Sequence, residues 1–349
     1  MRQSHVAVYD PNSVNPYGTE LSGLFDTIGF KVDHWCTTNK SAPGLGIRAR
    51  AILATGRQPG ISRISLMARR FAGPLRTVFT TRLAKPLVVV WIRDPWDALL
   101  LLARAALGGI TISIYHNPSS VRNREGLAGV LERALVRRSN LCIVHSAWLK
   151  SQVDFPVRNI RVAPHPPYAQ TTLGRSKKNA NATPARPVVA LVGALRPDKG
   201  SRDLVQIARE TNRAWVLRVL GPDKLAPETE QQLAEHGVTV EHPRGGSILS
   251  DDDLITGLLS SEVMIAPYRA VTESGSVHMA LSLNVPTLAY QSQGLGHILT
   301  SNSMADGPGG LGRLLAHFFE SPWPTFTSRA TNLYDECSIE WKAVLNGDH

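Results

Sequence analysis

Cysteine is scarce in this 349-residue chain, and no apolar run is long enough to span a bilayer. The three cysteines, Cys36, Cys142 and Cys337, have the spacing neither of a metal site nor of a disulfide framework, so we expect a reducing cytosol. The longest apolar helical stretch, 98–107, is short and contains an arginine. The N-terminus enters a strand without an apolar region, so we expect no signal peptide.

Acidic residues are scarce in the first half of the chain. Residues 1–170 contain 22 lysines and arginines but 9 acidic residues, a charge of +13, whereas residues 171–349 contain 16 and 19, a charge of −3. This imbalance predicts an anionic partner for the first half, a membrane surface or nucleic acid. The arginine-rich segment 48–85 has only Phe71 and Phe79 as aromatic residues to stack on bases, so we expect no nucleic-acid partner.

Residues 36–85 show no regular strand pattern, but one part of them has helical periodicity. The run ISRISLMARRFAG at 61–73 places Ile61, Ile64 and Met67 on one face. Two interpretations are open, a basic amphipathic helix in a membrane interface and a core-facing helix with a solvated basic side. On the first interpretation the protein is cytoplasmic and peripheral on the inner face of the plasma membrane, held at an anionic surface by residues 48–85.

Strand and helix patterns alternate along the rest of the chain. This repetition predicts α/β architecture with parallel sheets and right-handed crossovers. We expect a Rossmann-like domain over 1–168, a polar linker over 169–186, a second Rossmann-like domain over 187–320, and a helical tail over 321–349 that packs back on the first domain.

The most informative stretch runs from Glu262 to Gln291. It predicts a buried strand, a tight loop, a helix that starts near Ser274 and Ser276, and a second strand. A helix N-terminus at the carboxyl edge of a parallel sheet binds anions, diphosphates above all. The alternative is that the two serines only cap the helix.

A second loop in the same domain points to the same ligand. The segment GALRPDKG at 193–200 leaves the predicted strand Val188–Val192 and enters a helix. Its glycines allow close approach of the backbone, and Arg196 and Lys199 can reach phosphate oxygens. Because both loops should meet at one sheet edge, they predict a diphosphate site.

Polar residues also follow strands of the first domain. His116 and Asn117 end one strand and Asp94 ends the previous one, while Gly18 begins the helix after the loop that starts at Asn15. His116 is our first candidate for a catalytic base, or for a donor to a hydroxyl or phosphate, and Asp94 is the second. A structural, hydrogen-bonded histidine and ordinary turn chemistry at Gly18 are the alternatives.

These segments resemble GT-B glycosyltransferases, in particular the large family 4 and its polysaccharide-assembly relatives. The resemblance rests on VGALRPDKG, HPPY at 165–168, APYR-x4-SGS at 266–276 and ALSLNVPTLA from Ala280, with NPYG, IYHNP and IVHS in the first half. The chain departs from the common pattern of two glutamates, since Val271 and Met279 occupy those positions. It matches instead the subgroup with PYR…SGS…ALS.

The resemblance implies two Rossmann-like domains facing across a cleft and a metal-independent hexosyltransferase. The expected donor is a nucleotide diphosphate sugar, the expected acceptor is a glycan or a polyprenyl-linked lipid, and no cofactor is expected. The acceptor loop would contain Gly18 and Asn117. The donor-binding residues would be Gly193, Arg196, Lys199, Tyr268, Glu273, Ser274, Gly275 and Ser276. The alternative is a non-catalytic GT-B-fold protein that docks on an anionic membrane surface.

Overall fold

A computed structural model describes residues 5–12, 15–37, 47–53, 72, 75–93, 95–116, 126–172, 186–243, 249–321 and 327–347. The chain divides into two compact units. The first unit comprises Met1–Pro166 and Leu333–His349, and the second comprises Pro167–Asn332.

The first unit is built on a seven-stranded parallel sheet in the order β3-β2-β1-β4-β5-β6-β7. Its central strands are buried on both faces and read as continuous apolar runs, as parallel strands do. The strands are β1 His5–Asp10, β2 Lys31–Thr37, β3 Arg48–Leu53, β4 Leu87–Val89, β5 Thr111–Ile114, β6 Leu141–Val144 and β7 Ile160–Val162. The helices are α1 Tyr17–Thr27, α2 Pro95–Ala106, α3 Leu127–Arg138 and α4 Ala147–Ser151, and residues 75–80 are also helical.

Strand β3 was not predicted from the sequence, which shows an irregular pattern there. It pairs in parallel with β2, from Asp33 opposite Arg48 onward. Since β3 is at the edge of the sheet, its alternating arginines are compatible with a strand, and such strands lack the continuous apolar pattern of central ones.

The last helix of the chain, α11 (Thr327–Asn346), completes the core of the first unit. Cys337, Trp341 and Val344 are buried in the same cluster as Phe25 of α1. The indole Nε1 of Trp341 donates to the carbonyl of Pro164 at 3.0 Å, and its ring contacts that of Phe25 edge-on at 5.3 Å. An apolar face of the tail is therefore buried on the first sheet.

The second unit has a six-stranded parallel sheet in the order β10-β9-β8-β11-β12-β13. Its strands are β8 Val188–Val192, β9 Trp215–Leu220, β10 Val238–Glu241, β11 Val263–Ala266, β12 Thr287–Tyr290 and β13 Met304–Ala305. Its helices are α5 Ala169–Thr172, α6 Leu204–Thr211, α7 Pro227–Glu235, α8 Asp251–Leu259, α9 Gly275–Ser282 and α10 Gly307–Glu320. Apolar residues of α6, α7 and α10 cover one face of the sheet, and those of α8 and α9 cover the other.

The strand order reverses direction between β8 and β11, which pair in parallel. The loops after these two strands leave the same edge of the sheet on either side of this switch point. Open α/β sheets bind their ligands at this position. The first sheet has the corresponding point between β1 and β4.

The two parallel sheets with helices confirm the predicted α/β class. Among the helices of the described residues, none combines the length and apolar character needed to cross a membrane. The first residues of the predicted linker form α5, in which Thr172 is buried, and residues 173–185 are outside the described residues.

Candidate functional site

The loop after β8 lies directly against the end of β11. Gly200 has a φ of 71°, and a Cβ added there would lie 2.0 Å from the carbonyl oxygen of Pro267. Gly193, with a φ of 104°, donates its N–H to the carbonyl of Leu220, and a Cβ on Gly221 would lie 2.1 Å from the carbonyl oxygen of Gly193. Glycine is therefore required for the close approach that brings these loops together.

Arg196 is held by a carboxylate of its own loop. Its Nε and Nη2 donate to the two oxygens of Asp198 at 2.9 and 2.8 Å. This hydrogen bonding from Arg196 lowers the pKa of Asp198, which stays ionised and offsets the charge of the guanidinium. Because the carboxylate takes only two of its five N–H donors, the half-exposed guanidinium can still bind an anion.

Lys199 lies over the face of an aromatic ring. Its Nζ is 3.4 Å from the centroid of the Tyr268 ring, a cation–π contact between the loop after β8 and the loop after β11. A backbone hydrogen bond of 2.9 Å from the N–H of Arg269 to the carbonyl of Asp198 joins the same two loops. The predicted convergence of the two loops is thus present in the second unit.

The hydroxyl of Tyr268 connects β8 to the start of α9. It donates to the carbonyl of Val192 at 3.2 Å and lies 2.9 Å from the hydroxyl oxygen of Ser276. Ser276 in turn lies 3.0 Å from the hydroxyl of Ser274. Because the carbonyl can only accept, the order of donation runs from Ser274 to Ser276 to Tyr268 to Val192.

Helix α9 begins at Gly275, with Ser274 as its N-cap. The hydroxyl oxygen of Ser274 accepts from the N–H of Val277 at 3.4 Å, so the predicted capping is observed. The first N–H groups of α9 lie at the same edge of the sheet as Arg196 and Lys199 of the loop after β8. Such an arrangement suits a polyanion, because partial charges of the helix and full charges of Arg196 and Lys199 act together.

Arg269 is a residue of this edge that our sequence analysis did not select. Its guanidinium binds the buried carboxylate of Asp203, which also accepts from the hydroxyl of Tyr290 at 2.9 Å. These three side chains line an open cavity of about 450 Å³ at the ends of β11 and β12. The arginine next to Tyr268 in the segment APYR was the signal that could have identified it.

Glu273 does not contact the loop after β8. Its carboxylate is 5% exposed and accepts a hydrogen bond from Nε2 of His278 at 2.7 Å, and Nε2 of His297 is 3.3 Å from its other oxygen. Burial raises the pKa of Glu273, but the two histidines outweigh burial and hold the pKa well below its usual range. Sequence analysis did not anticipate either histidine, because both partners depend on the tertiary structure.

His116 is buried at the carboxyl edge of the first sheet, beyond the end of β5. Its ring is stacked on Trp91 at 3.9 Å, and its Nε2 donates to the carbonyl of Val90 at 3.1 Å. Since a carbonyl can only accept, Nε2 of His116 carries a proton and the ring orientation is fixed.

The rings of Tyr17 and His145 also contact His116, and His165 packs against both of them. Tyr17, His145 and His165 have ring centroids within 5.5 Å of one another, and Tyr17 contacts His116 edge-on at 4.9 Å. His145 donates from Nδ1 to the carbonyl of Ala163 and receives the hydroxyl of Tyr17 on Nε2 at 3.1 Å. These two bonds give His145 a structural role in the first unit.

The remaining site residues predicted for the first unit are Gly18, Asp94 and Asn117, and the structure describes only the first of them. Gly18 is buried in the first turn of α1, where a Cβ would meet the side chain of Asp10 at 2.1 Å, so only glycine fits against that carboxylate. Asp94, Asn117 and the predicted amphipathic helix at 61–71 are outside the described residues.

No protein-family model and no curated protein sequence matches the chain. Several solved structures do resemble it. Sucrose-phosphate synthase from Thermosynechococcus elongatus is 14% identical with a TM-score of 0.65, covering 99% of this chain and 97% of that one. HepE from Anabaena, in complex with UDP and glucose, is 12% identical with a TM-score of 0.62, covering 99% and 98%.

A third resemblance comes from an enzyme of a different reaction class. UDP-GlcNAc 2-epimerase from Neisseria meningitidis, bound to UDP-GlcNAc, is 11% identical with a TM-score of 0.54, covering 98% of this chain and all of that one. At these identities the likeness concerns the fold and leaves the reaction to be argued from the site. The described residues have the two parallel α/β sheets of the GT-B fold that the resemblance implied.

Proposed function

We propose that this protein is a glycosyltransferase that moves a sugar from a nucleotide diphosphate sugar to a glycan or lipid-linked acceptor in polysaccharide or glycoconjugate assembly. One observation carries the proposal. At the switch point of the second sheet, the cationic loop with Arg196 and Lys199 lies beside the N-terminus of α9. This edge offers positive charge where a diphosphate would bind.

The leaving group of such a transfer is a nucleoside diphosphate, whose charge grows as the glycosidic bond breaks. Lys199, Arg196 and the first N–H groups of α9 would stabilise that charge electrostatically, without a metal ion at the diphosphate. Because its cation–π contact places Lys199 against the loop that leads to α9, we expect Lys199 to contribute more than Arg196.

A binding and turnover assay tests the proposal. We expect one class of nucleoside diphosphates and their sugars to raise the melting temperature, and the best donor to be hydrolysed or transferred. Lys199→Ala should lower turnover at least about tenfold, and Arg196→Ala somewhat less, by loss of electrostatic stabilisation.

Arg213→Ala is the matched control, because Arg213 contacts the ring of Phe319 at 5.6 Å and precedes β9, at the opposite edge of the sheet. It should leave turnover unchanged. Wild-type turnover in Lys199→Ala would overturn the diphosphate assignment. Conversion of a UDP-sugar to its epimer without any acceptor would replace the proposed transfer by epimerisation. Binding without turnover would support the non-catalytic alternative.

The proposal includes attachment of the first unit to an anionic membrane surface. Besides the charge of residues 1–170, it is supported by the location of exposed apolar side chains. Among the described residues, eight of nine exposed large apolar side chains fall between positions 75 and 130. Trp96 and Leu99 lie on one face of α2, and Leu107, directly after its last residue, has the spacing that continues this face. Basic residues beside exposed apolar ones are typical of interfacial binding.

Vesicle co-sedimentation tests the membrane partner. Neutralising Arg63, Arg69 and Arg70 should weaken binding to anionic vesicles by about 1 kcal/mol per charge. Trp96→Glu with Leu99→Glu should weaken it further, and Ile339→Glu, an exposed change on α11, should not. Equal co-sedimentation of all variants at physiological salt would rule out this surface.

A further inference from the structure

Three metal-ligating side chains meet on the second unit, outside the proposed diphosphate contacts. They are Glu273, His278 and His297, whose ligand atoms all lie within 4.8 Å of one another. Within the described residues no other such group of three occurs. The three residues come from the loop before α9, from α9 itself and from the loop after β12.

The fold holds these three segments in fixed positions. The loop that carries His297 is anchored by the buried side chains of Leu295 and Ile298. It passes so close to the preceding segment that a Cβ on Gly294 would lie 2.1 Å from the carbonyl oxygen of Val271. Only a residue without a side chain can make this contact. The close approach of the two backbone segments therefore fixes the position of the loop that carries His297. Preorganised ligands of this kind are what a metal site needs.

The distances suit a small transition-metal ion. Two ligands of tetrahedral zinc, each about 2.0 to 2.2 Å from the ion, lie about 3.3 to 3.6 Å apart. His297 Nε2 lies 3.3 Å from Oε2 of Glu273, and His278 Nε2 lies 2.7 Å from Oε1 of the same carboxylate. The shorter of these two separations must widen by about half an ångström when a metal binds. His297, 27% exposed, gives access from solvent.

We propose that Glu273, His278 and His297 bind one divalent transition-metal ion of the zinc class. Two imidazoles and one carboxylate form a ligand set that zinc uses and that Mg²⁺ does not favour. The bound ion would connect the loop after β12 to the start of α9, next to Ser274. It would therefore brace the helix N-terminus and is distinct from the groups assigned to the diphosphate. The proposal goes beyond the proposed function and does not depend on it.

Metal binding can be measured on the untagged full-length chain without nucleotide or sugar. With zinc chloride as the probe, we expect one Zn²⁺ ion to bind per chain and the melting temperature to rise by mass action. Mg²⁺ should not bind and should leave the melting temperature unchanged. Co²⁺ should give the visible absorption of a site with nitrogen and oxygen ligands, and Zn²⁺ should displace it. His297→Ala and Glu273→Gln should each weaken zinc binding at least about tenfold.

His242→Ala is the matched control. Nε2 of His242 also pairs with a glutamate, Glu230, at 2.8 Å, but no third ligand is present among the described residues nearby. This variant should bind zinc like the wild type. Equal zinc affinity in the wild type, His297→Ala and Glu273→Gln would overturn the proposal. So would loss of binding in His242→Ala, or an equal response to Mg²⁺. A melting temperature near that of the wild type without metal shows that each variant is folded.

Discussion

At the scale of single residues, neighbouring side chains decide what an ionisable group can do. Arg196 and Lys199 stand three positions apart in one loop, yet one is paired with Asp198 and the other lies over the ring of Tyr268. Arg196 makes two hydrogen bonds to the carboxylate of Asp198, whereas Lys199 lies at the face of a ring from the loop after β11. Their contributions to anion binding should therefore differ, although their residue types predict the same role.

His116 is the residue whose role is most specific to the proposed chemistry. Its Nε2 donates to the carbonyl of Val90, which fixes the ring at the carboxyl edge of the first sheet, where we propose that it contacts the sugar or the acceptor. We expect His116→Ala to lower kcat at least about tenfold, with little change in nucleoside diphosphate affinity. Steady-state kinetics and a nucleotide titration measure the two effects. His145→Ala is the control, since it breaks the bond to Tyr17 and should lower stability instead. A stable His116→Ala with normal kcat would leave Asp94 as the candidate.

His34 of β2 makes the stability of the first unit depend on pH. It is almost fully buried, and its Nε2 has no hydrogen-bond partner among the described residues. Burial lowers the pKa of His34 from 6.5 to about 4. The unfolded chain therefore takes up a proton at a higher pH than the folded chain. The contribution of neutral His34 to the free energy of unfolding is fully present above pH 6.5. It is lost as the pH falls toward 4, and the loss is about 2 kcal/mol at pH 5.

Urea unfolding at pH 7 and pH 5 measures this loss. In His34→Leu the free energy of unfolding should fall less between the two pH values, by about 2 kcal/mol. The comparison uses the pH dependence and not the absolute stability, so a packing change at position 34 does not affect it. The same pH dependence in both proteins would contradict the assignment to His34.

At the scale of helices and strands, the same capping chemistry occurs in two places with different surroundings. Ser274 caps α9 beside the cationic loop, and Ser250 caps α8, where its hydroxyl accepts from the N–H of Asp253 at 3.1 Å. Each cap stabilises its helix to a similar degree. Of these two helices, α9 is the one that follows a strand at the switch point of the sheet.

Two serine variants separate capping from ligand binding. Ser274→Ala and Ser250→Ala should each lower the free energy of unfolding by about 1 kcal/mol. Only Ser274→Ala should also weaken the binding of a nucleoside diphosphate, which thermal shift with and without the nucleotide can measure. If both variants bind the nucleotide equally well, α9 is a capped helix without a part in the donor site.

At the scale of the whole molecule, the chain builds its first unit from both of its ends. Residues 333–347 return to the first unit after the second unit is complete, and Cys337, Trp341 and Val344 enter its core. Trp341 is fully buried there, whereas Ile339 of the same helix is 68% exposed. The tail is thus part of the first unit, and its removal should affect that unit first.

Calorimetry can test this dependence. Trp341→Ala should destabilise the first unit by about 3 to 5 kcal/mol, because a large buried ring and its hydrogen bond to Pro164 are lost. The transition of the second unit should not move, and Ile339→Ala should change neither transition. A change confined to the second unit would show that the tail does not stabilise the first.

Local patterns in the sequence determined much of this protein. The alternation of strands and helices, the glycines at 193 and 200 and the cap at Ser274 could all be predicted, because apolar periodicity and turn chemistry depend on residues close in the chain. The tertiary structure alone decided which distant groups meet. His297 reaches Glu273 from 24 positions away, Trp341 reaches Pro164 from 177, and the arginine-rich β3 finds its place beside β2. Such contacts follow from burial and backbone approach across the fold, which no local pattern encodes.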